Sequence, residues 1–243
     1  MTEDRFSRTR LLVGEDGLAR LAQAVVLVAG LGGVGGYVVE AIARAGVGRI
    51  VLLDFDRVAE SNLNRQILAT TSTLGMRKVD AAAERVAQIQ PGCEAIARDI
   101  RLVPGNVANL LTEDVTHVVD AIDDVTAKIA LLTAVHERGL PHAACMGAGG
   151  MVEPSGIEVA DIRRTQGCPL ARAVRLRLRK LGISNGIRCI YTPRPRVPAQ
   201  ATEGTERPLQ GTLSFMPGLI GLTAAGVIIR DIVACDTHHG LLE

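Results

Sequence analysis

Ala24-Val25-Val26-Leu27-Val28-Ala29-Gly30-Leu31-Gly32-Gly33-Val34-Gly35 reads as a buried strand that turns into a helix through a glycine loop. The small-residue helix runs from Val34 to Ala45 and a second apolar strand from Arg49 to Leu53, which completes a βαβ unit. Gly30, Gly32, Gly33 and Gly35 let the backbone turn tightly and approach a phosphate, at a helix N-terminus where unpaired N–H groups converge. Such a loop alone defines only a doubly wound fold, since dehydrogenases place similar glycines at the same turn.

Downstream residues narrow the chemistry. Asp54 ends the second strand, 22 positions beyond Gly32, where a carboxylate can accept from ribose hydroxyls or simply satisfy loop N–H groups. Asp56, Asn62, Arg65 and Lys78 follow within one loop and the start of the next helix, so they can fold back over a nucleotide held by the glycines. Hydride transfer needs no arginine and lysine at a triphosphate. Attack on an α-phosphate accumulates negative charge that fixed cations must stabilise. Asp123 follows the strand His117 to Asp120, at the sheet edge where ligands bind in such folds; it is a candidate Mg²⁺ ligand or, alternatively, a helix cap.

Alternation of strand and helix continues outward from this unit. A helix is expected over Met76 to Gln90, strands over Glu94 to Arg98 and Pro141 to Cys145, and a helix over Val125 to Glu137. The expected fold is α/β, doubly wound and Rossmann-like: a mainly parallel sheet with helices on both faces and a C-terminal extension. We expect one domain over residues 1–243, with a nucleotide-binding half (1–146) and a substrate-binding half (147–243). The second half begins with Gly147-Ala148-Gly149-Gly150 and carries a helix from Pro169 to about Leu181. An irregular Pro-rich crossover from Pro193 to Pro208 follows. Leu170, Val174, Leu178 and Leu181 share one helix face, while Arg172, Arg175 and Arg179 point away.

The chain's net charge of +1 conceals an asymmetry: residues 163–207 hold eleven Lys and Arg against two acids, Glu203 and Glu206. That surplus suits a polyanion such as nucleic acid, although arginines also solvate ordinary helix faces. Aromatic residues make up only 2% of the chain, too few for a base-stacking platform. The apolar stretch Leu219 to Ile229 is too short to span a bilayer, so a buried helix and no membrane insertion are expected. Five scattered cysteines, Cys93, Cys145, Cys168, Cys189 and Cys235, form no C-x-x-C pair, which predicts no zinc. With the polar N-terminus they indicate a reducing, cytoplasmic setting. The five histidines, His117, His136, His142, His238 and His239, show no metal-ligand spacing.

The motifs Arg5-Phe6-Ser7-Arg8, the glycine loop, Asp54-x-Asp56, Asn62-x-Asn64-Arg65-Gln66, Gly75-x-x-Lys78 and Asp120-Ala121-Ile122-Asp123 together resemble the ubiquitin-activating-type adenylating family. The resemblance implies an Mg-ATP site, with Arg65 and Lys78 acting on the phosphates. It also implies a homodimer in which Arg8 reaches across the interface. Ala160-Asp161-Ile162, Cys168-Pro169-Leu170-Ala171, the basic helix and Gly211-Thr212-Leu213-Ser214-Phe215-Met216-Pro217 are similar to the branch of tRNA threonylcarbamoyladenosine dehydratases. That branch implies tRNA as partner, bound through Arg172, Arg175 and Arg179, and leaves a sulfur-transfer protein open as a second one.

Two other readings stand beside this one. A ubiquitin-like sulfur-carrier protein is the alternative substrate, with its C-terminal carboxylate activated and passed to Cys168 or Cys189. A non-catalytic module that binds NAD is the other; the phosphate cations favour Mg²⁺-dependent ATP binding over it.

Overall fold

The computed structural model describes residues 4–112, 114–201 and 208–234. Glu203, Glu206, Arg207, Cys235, His238 and His239 lie outside the described residues. The βαβ unit is present as β1 (Val25–Ala29), α2 (Gly35–Ala45) and β2 (Arg49–Asp54), preceded by α1 (Ser7–Gln23). The chain continues through α3 (Lys78–Ile89), β3 (Glu94–Asp99), the short α4 (Val107–Leu110), β4 (His117–Asp120), α5 (Val125–Glu137) and β5 (His142–Cys145). Then come β6 (Glu158–Asp161), α6 (Pro169–Lys180), β7 (Arg188–Tyr191) and α7 (Phe215–Val233).

Seven strands form one sheet in the order β3-β2-β1-β4-β5-β7-β6, parallel except for β6, which runs antiparallel to β7. The order is explained by burial on both faces. Val26, Val28, Ile50, Leu52 and Val119 pack towards α2, α3 and α7, while Leu27, Ala29, Leu53 and Val118 pack towards α4 and α5. Strands covered on both sides need unbroken apolar runs, and these have them. The chain's path reverses between β1 and β4, and that switch point opens a crevice at the carboxyl ends of the strands.

α1 escapes a periodicity reading because it is interrupted at Gly14 and buries only Gly17 and Leu21 fully. Leu11 and Leu12 on its first half stand about nine-tenths exposed, at 86% and 89%. The C-terminal apolar stretch forms α7, long and apolar enough by composition to cross a membrane. Its Met216, Ile220, Ala224, Ala225 and Ile228 are instead buried in the core beside α2.

Glu40 ties α2 to α3: one oxygen accepts from Arg44 at 2.6 Å and the other from Arg85 at 2.8 Å, with the residue only 9% exposed. Burial pushes its carboxyl up, but the hydrogen bonds from Arg85 and Arg44 outweigh that and hold it below its ordinary 4.5. A depressed folded value means the stabilisation is complete above 4.5 and lost as pH falls through the lower folded value. Glu40→Gln is expected to cost about 1–2 kcal/mol at neutral pH, moderated by the exposure of both arginines. In thermal unfolding the gap from the unaltered chain should close in acid; a gap that persists there would assign the loss to packing.

Candidate active site

A cleft of about 560 Å³ opens at the β1/β4 switch point. Gly30 sits there at φ +88°, and a Cβ on it would lie 2.8 Å from the Ala121 carbonyl oxygen, so only glycine lets the two loops meet. Gly35 lies beneath the cleft, where a Cβ would collide with the Gly30 carbonyl at 1.8 Å. Its role is to seat α2 under the loop, while Gly30, Gly32 and Gly33 line the cleft directly.

Asp54 accepts from the Leu31 N–H at 2.6 Å and from the Asp56 N–H at 2.8 Å. Loop amides therefore hold this carboxylate, as one sequence reading anticipated, and its remaining lone pairs face the cleft it lines. Lys78 begins α3, is 5% exposed and donates to Asp56 at 2.8 Å. Asn62 is also buried, and its side-chain oxygen accepts from the Ala59 N–H at 3.1 Å while its carbonyl accepts from Arg65 and Gln66. Asn62 thus organises the loop that carries Arg65. Arg65 donates to the Ser61 carbonyl and to Asn64, both at 2.8 Å, and lines the same cleft as Lys78 and Gly30.

The cap of α5 is Asp124, which accepts from Ala127 N–H at 2.8 Å. Asp123 is left exposed on the cleft wall with no hydrogen-bond partner among the described residues. Its carboxylate beside a phosphate-sized glycine turn fits Mg²⁺, a hard cation that takes one or two carboxylates and completes its shell with phosphates and water. Behind it, Asp120 and Lys128 form a fully buried pair at 2.6 Å, and Lys128 also donates to the Cys145 carbonyl at 2.9 Å. Burial pushes the Asp120 carboxyl up, and Lys128 opposes it. The pair was not anticipated from sequence, where Lys128 is one lysine within the helix Val125–Glu137.

The cleft has two further ends whose residues sequence reasoning did not assign to it. Phe55, Ile100 and Leu102 form an apolar side at the ends of β2 and β3, with the Arg101 guanidinium 4.8 Å over the Phe55 ring. Gly147, Ala148, Gly149, Gln210 and Thr212 form the opposite side, beyond β5. Gly147, Ala148, Gly149 and Thr212 stand in stretches quoted from the sequence above, yet nothing in one dimension shows that segments so far apart in the chain meet at one cleft.

Some expected site residues fall elsewhere. Arg8 lies exposed on α1 and does not line the cleft of its own chain. On α6, Arg172 and Arg179 are exposed, but Arg175 is half-buried and donates to the Thr165 hydroxyl at 2.6 Å and carbonyl at 2.8 Å. Its guanidinium serves an internal turn, which corrects the expectation that it points away with the others. Leu181 departs too: it is 57% exposed, and Ala171, Val174 and Leu178 form the buried face. Cys189 is fully buried, and desolvation pushes its thiol far above the usual range, which removes the thiolate a transfer step needs. Cys168 is buried as well, with its sulfur 3.5 Å from Arg196.

This crevice, with its glycine turn, Arg65, Lys78 and the free Asp123 carboxylate, is a candidate site for adenylate formation in an α/β protein, and residues 6–241 match the model of the ThiF family; the chain belongs to that family. Its relatives within it are specific. It is 34% identical over 240 residues, 94% of each chain, to the tRNA threonylcarbamoyladenosine dehydratase of Bacillus subtilis. The Escherichia coli tRNA N6-threonylcarbamoyladenosine dehydratase, TcdA, in complex with ATP superposes with a TM-score of 0.88 at 33% identity, covering 97% of this chain and 96% of that one. A sulfur carrier protein adenylyltransferase of Thermus thermophilus is 36% identical over 140 residues, which is 57% of this chain and 51% of that protein.

Proposed function

We infer that this chain is an ATP-dependent tRNA threonylcarbamoyladenosine dehydratase. The observation that carries the reading is the meeting of Gly30, Arg65, Lys78 and Asp123 in one cleft, on a chain similar to such dehydratases over 94% of its length. Similarity to the carrier-protein enzyme covers little more than half the chain, and the buried Cys168 and Cys189 offer no site for transfer.

The threonyl carboxylate of the modified adenosine attacks the α-phosphorus of ATP, forming a mixed anhydride with AMP and releasing pyrophosphate. Arg65 and Lys78 offset the charge that builds on the phosphates, and the Asn62 loop holds Arg65 in reach. Mg²⁺ held by Asp123 supplies further charge neutralisation at the phosphate oxygens when bound. Asp54 orients the ribose. A nitrogen of the same modification then attacks the activated carbonyl, with proximity supplied by the substrate itself, and AMP leaves. The protein acts as a homodimer in the cytoplasm, and Arg8 on each α1 completes the phosphate site of the other copy.

Incubation with ATP and threonylcarbamoyladenosine-containing tRNA should yield AMP, pyrophosphate and a nucleoside lighter by one water, read by mass. Product from a carrier-protein carboxyl terminus, with none from the tRNA, would transfer the assignment to the alternative.

The exposed Arg172 and Arg179, one face of α6, form the tRNA-facing surface, and binding to phosphates through such side chains weakens as salt rises. Replacing both by alanine should lower the slope of log affinity against log salt by about 0.7–0.9 for each tRNA phosphate that is no longer neutralised. An unchanged slope in a folded variant would make this face merely solvated.

A further inference from the structure

We propose that Arg196 is a positioning residue that aims the Ala148 N–H into the cleft as the oxyanion donor of the ring-closing step. The inference rests on the adenylation reading above and concerns its second half.

The order of strands orders the cleft. From β2 through β1 and β4 to β5 it passes from Asp54, past the glycine turn and Asp123, to the segment Met146–Gly149. A nucleotide with its ribose at Asp54 and its phosphates at Gly30 therefore presents its acyl end to that last segment. This segment is held at three places. Met146 N–H donates to the Ile190 carbonyl at 2.8 Å, and Gly150 N–H donates to the Gly211 carbonyl at 2.7 Å. Between them, the Arg196 guanidinium donates to the Gly147 carbonyl at 2.8 Å and the Gly149 carbonyl at 2.6 Å.

Arg196 is half-buried and does not line the cleft, whereas Gly147, Ala148 and Gly149 do. It grips the segment from behind. In a trans peptide the N–H points opposite to the C=O of the preceding residue, so turning the Gly147 carbonyl back to Arg196 turns the Ala148 N–H forward. That N–H has no acceptor among the described residues. A charged, planar fork that holds two carbonyls at once is a rigid way to keep one amide in orientation. Preorganised donors of this kind act on charge that develops only during reaction.

In ring closure the substrate nitrogen forms a C–N bond to the carbonyl carbon of the acyl adenylate, and the carbonyl π pair moves onto oxygen. The Ala148 N–H donates to that oxyanion. The pair then returns, the bond from carbon to the phosphate oxygen breaks with its electrons leaving on AMP, and the nitrogen's proton passes to water. The preceding attack on phosphorus does not use this donor, so the two steps separate the roles.

The test is rapid-quench kinetics on the full chain with ATP and threonylcarbamoyladenosine-containing tRNA, beside tRNA-dependent ATP–pyrophosphate exchange. Arg196→Met should leave exchange within about threefold and slow AMP release about 10²-fold, with the acyl adenylate accumulating; Arg196→Lys, which can hold one carbonyl, should recover part of the rate. Equal slowing of exchange and AMP release, or no slowing of either, would overturn the proposal. If Arg196→Met does not fold, an amide-to-ester replacement at residue 148 removes the donor, weakens the Gly147 carbonyl as an acceptor and leaves the Gly149 half of the clamp intact. AMP release at the unaltered rate in that ester would sink the idea. Absence of tRNA-dependent exchange in the unaltered enzyme would instead reject the adenylation reading on which it rests.

Discussion

Lys78→Met is expected to lower tRNA-dependent ATP–pyrophosphate exchange by about 10²- to 10³-fold, roughly 3–4 kcal/mol of transition-state stabilisation. The size follows from where the ammonium sits. It is 5% exposed at the first residue of α3, in a cleft shared with the glycine turn, so its charge acts with little screening by water. Removing it also leaves Asp56, now 2.8 Å from Lys78 and half exposed on the cleft wall, as a carboxylate without its ion-pair partner. The loss therefore has an attractive and a repulsive part. Lys78→Met with Asp56→Asn should recover the repulsive part, and Lys78→Arg should do poorly because a planar fork does not replace a point charge in this space. Exchange and ATP affinity measured together check the claim. Exchange within threefold of the unaltered chain would leave Lys78 only a loop-holding partner for Asp56.

Lys128→Met should destabilise the fold by about 3–5 kcal/mol, because it leaves Asp120 1% exposed without its counter-ion, either charged in the core or forced to take up a proton. For a chain of this size the melting temperature should fall on the order of 10 °C. The pair joins three parts of the site: Asp120 accepts from the Ile122 N–H at 3.1 Å, and Lys128 reaches both Asp120 and the Cys145 carbonyl. It braces the loop that presents Asp123. Asp120→Asn combined with Lys128→Met removes the stranded charge and should recover much of the melting temperature. A double variant as unstable as Lys128→Met alone would mean that packing of the lysine stem, not charge pairing, supports the loop.

The two effects mark how far one dimension can be read. Lys78 was legible because its motif stands close to the glycine loop and because nothing in the apolar pattern of α3 required a cation at that position. Lys128 was not singled out: a lysine inside a helix is ordinarily a solvated one, and only its partner on β4 shows that it is buried. For Asp123 the sequence left a helix cap open beside a metal role. Backbone geometry gave the cap to Asp124 and left Asp123 on the cleft wall. The arginines of α6 were readable as a surplus of charge, yet their division was not, since Arg175 is withdrawn by Thr165, ten residues away across a turn.

Apolar runs and glycines determined, without any coordinates, that β1, α2 and β2 form a phosphate-ready turn, because burial on both faces and close backbone approach are local demands on residue type. Tertiary structure alone decided that Arg196 meets Gly147 across 49 positions and that α1 carries Arg8 away from its own cleft. Such pairings depend on how loops close over the sheet. Hydrogen-bond acceptors on a backbone carbonyl are the same for every residue, so no pattern of side chains announces which one an arginine will find.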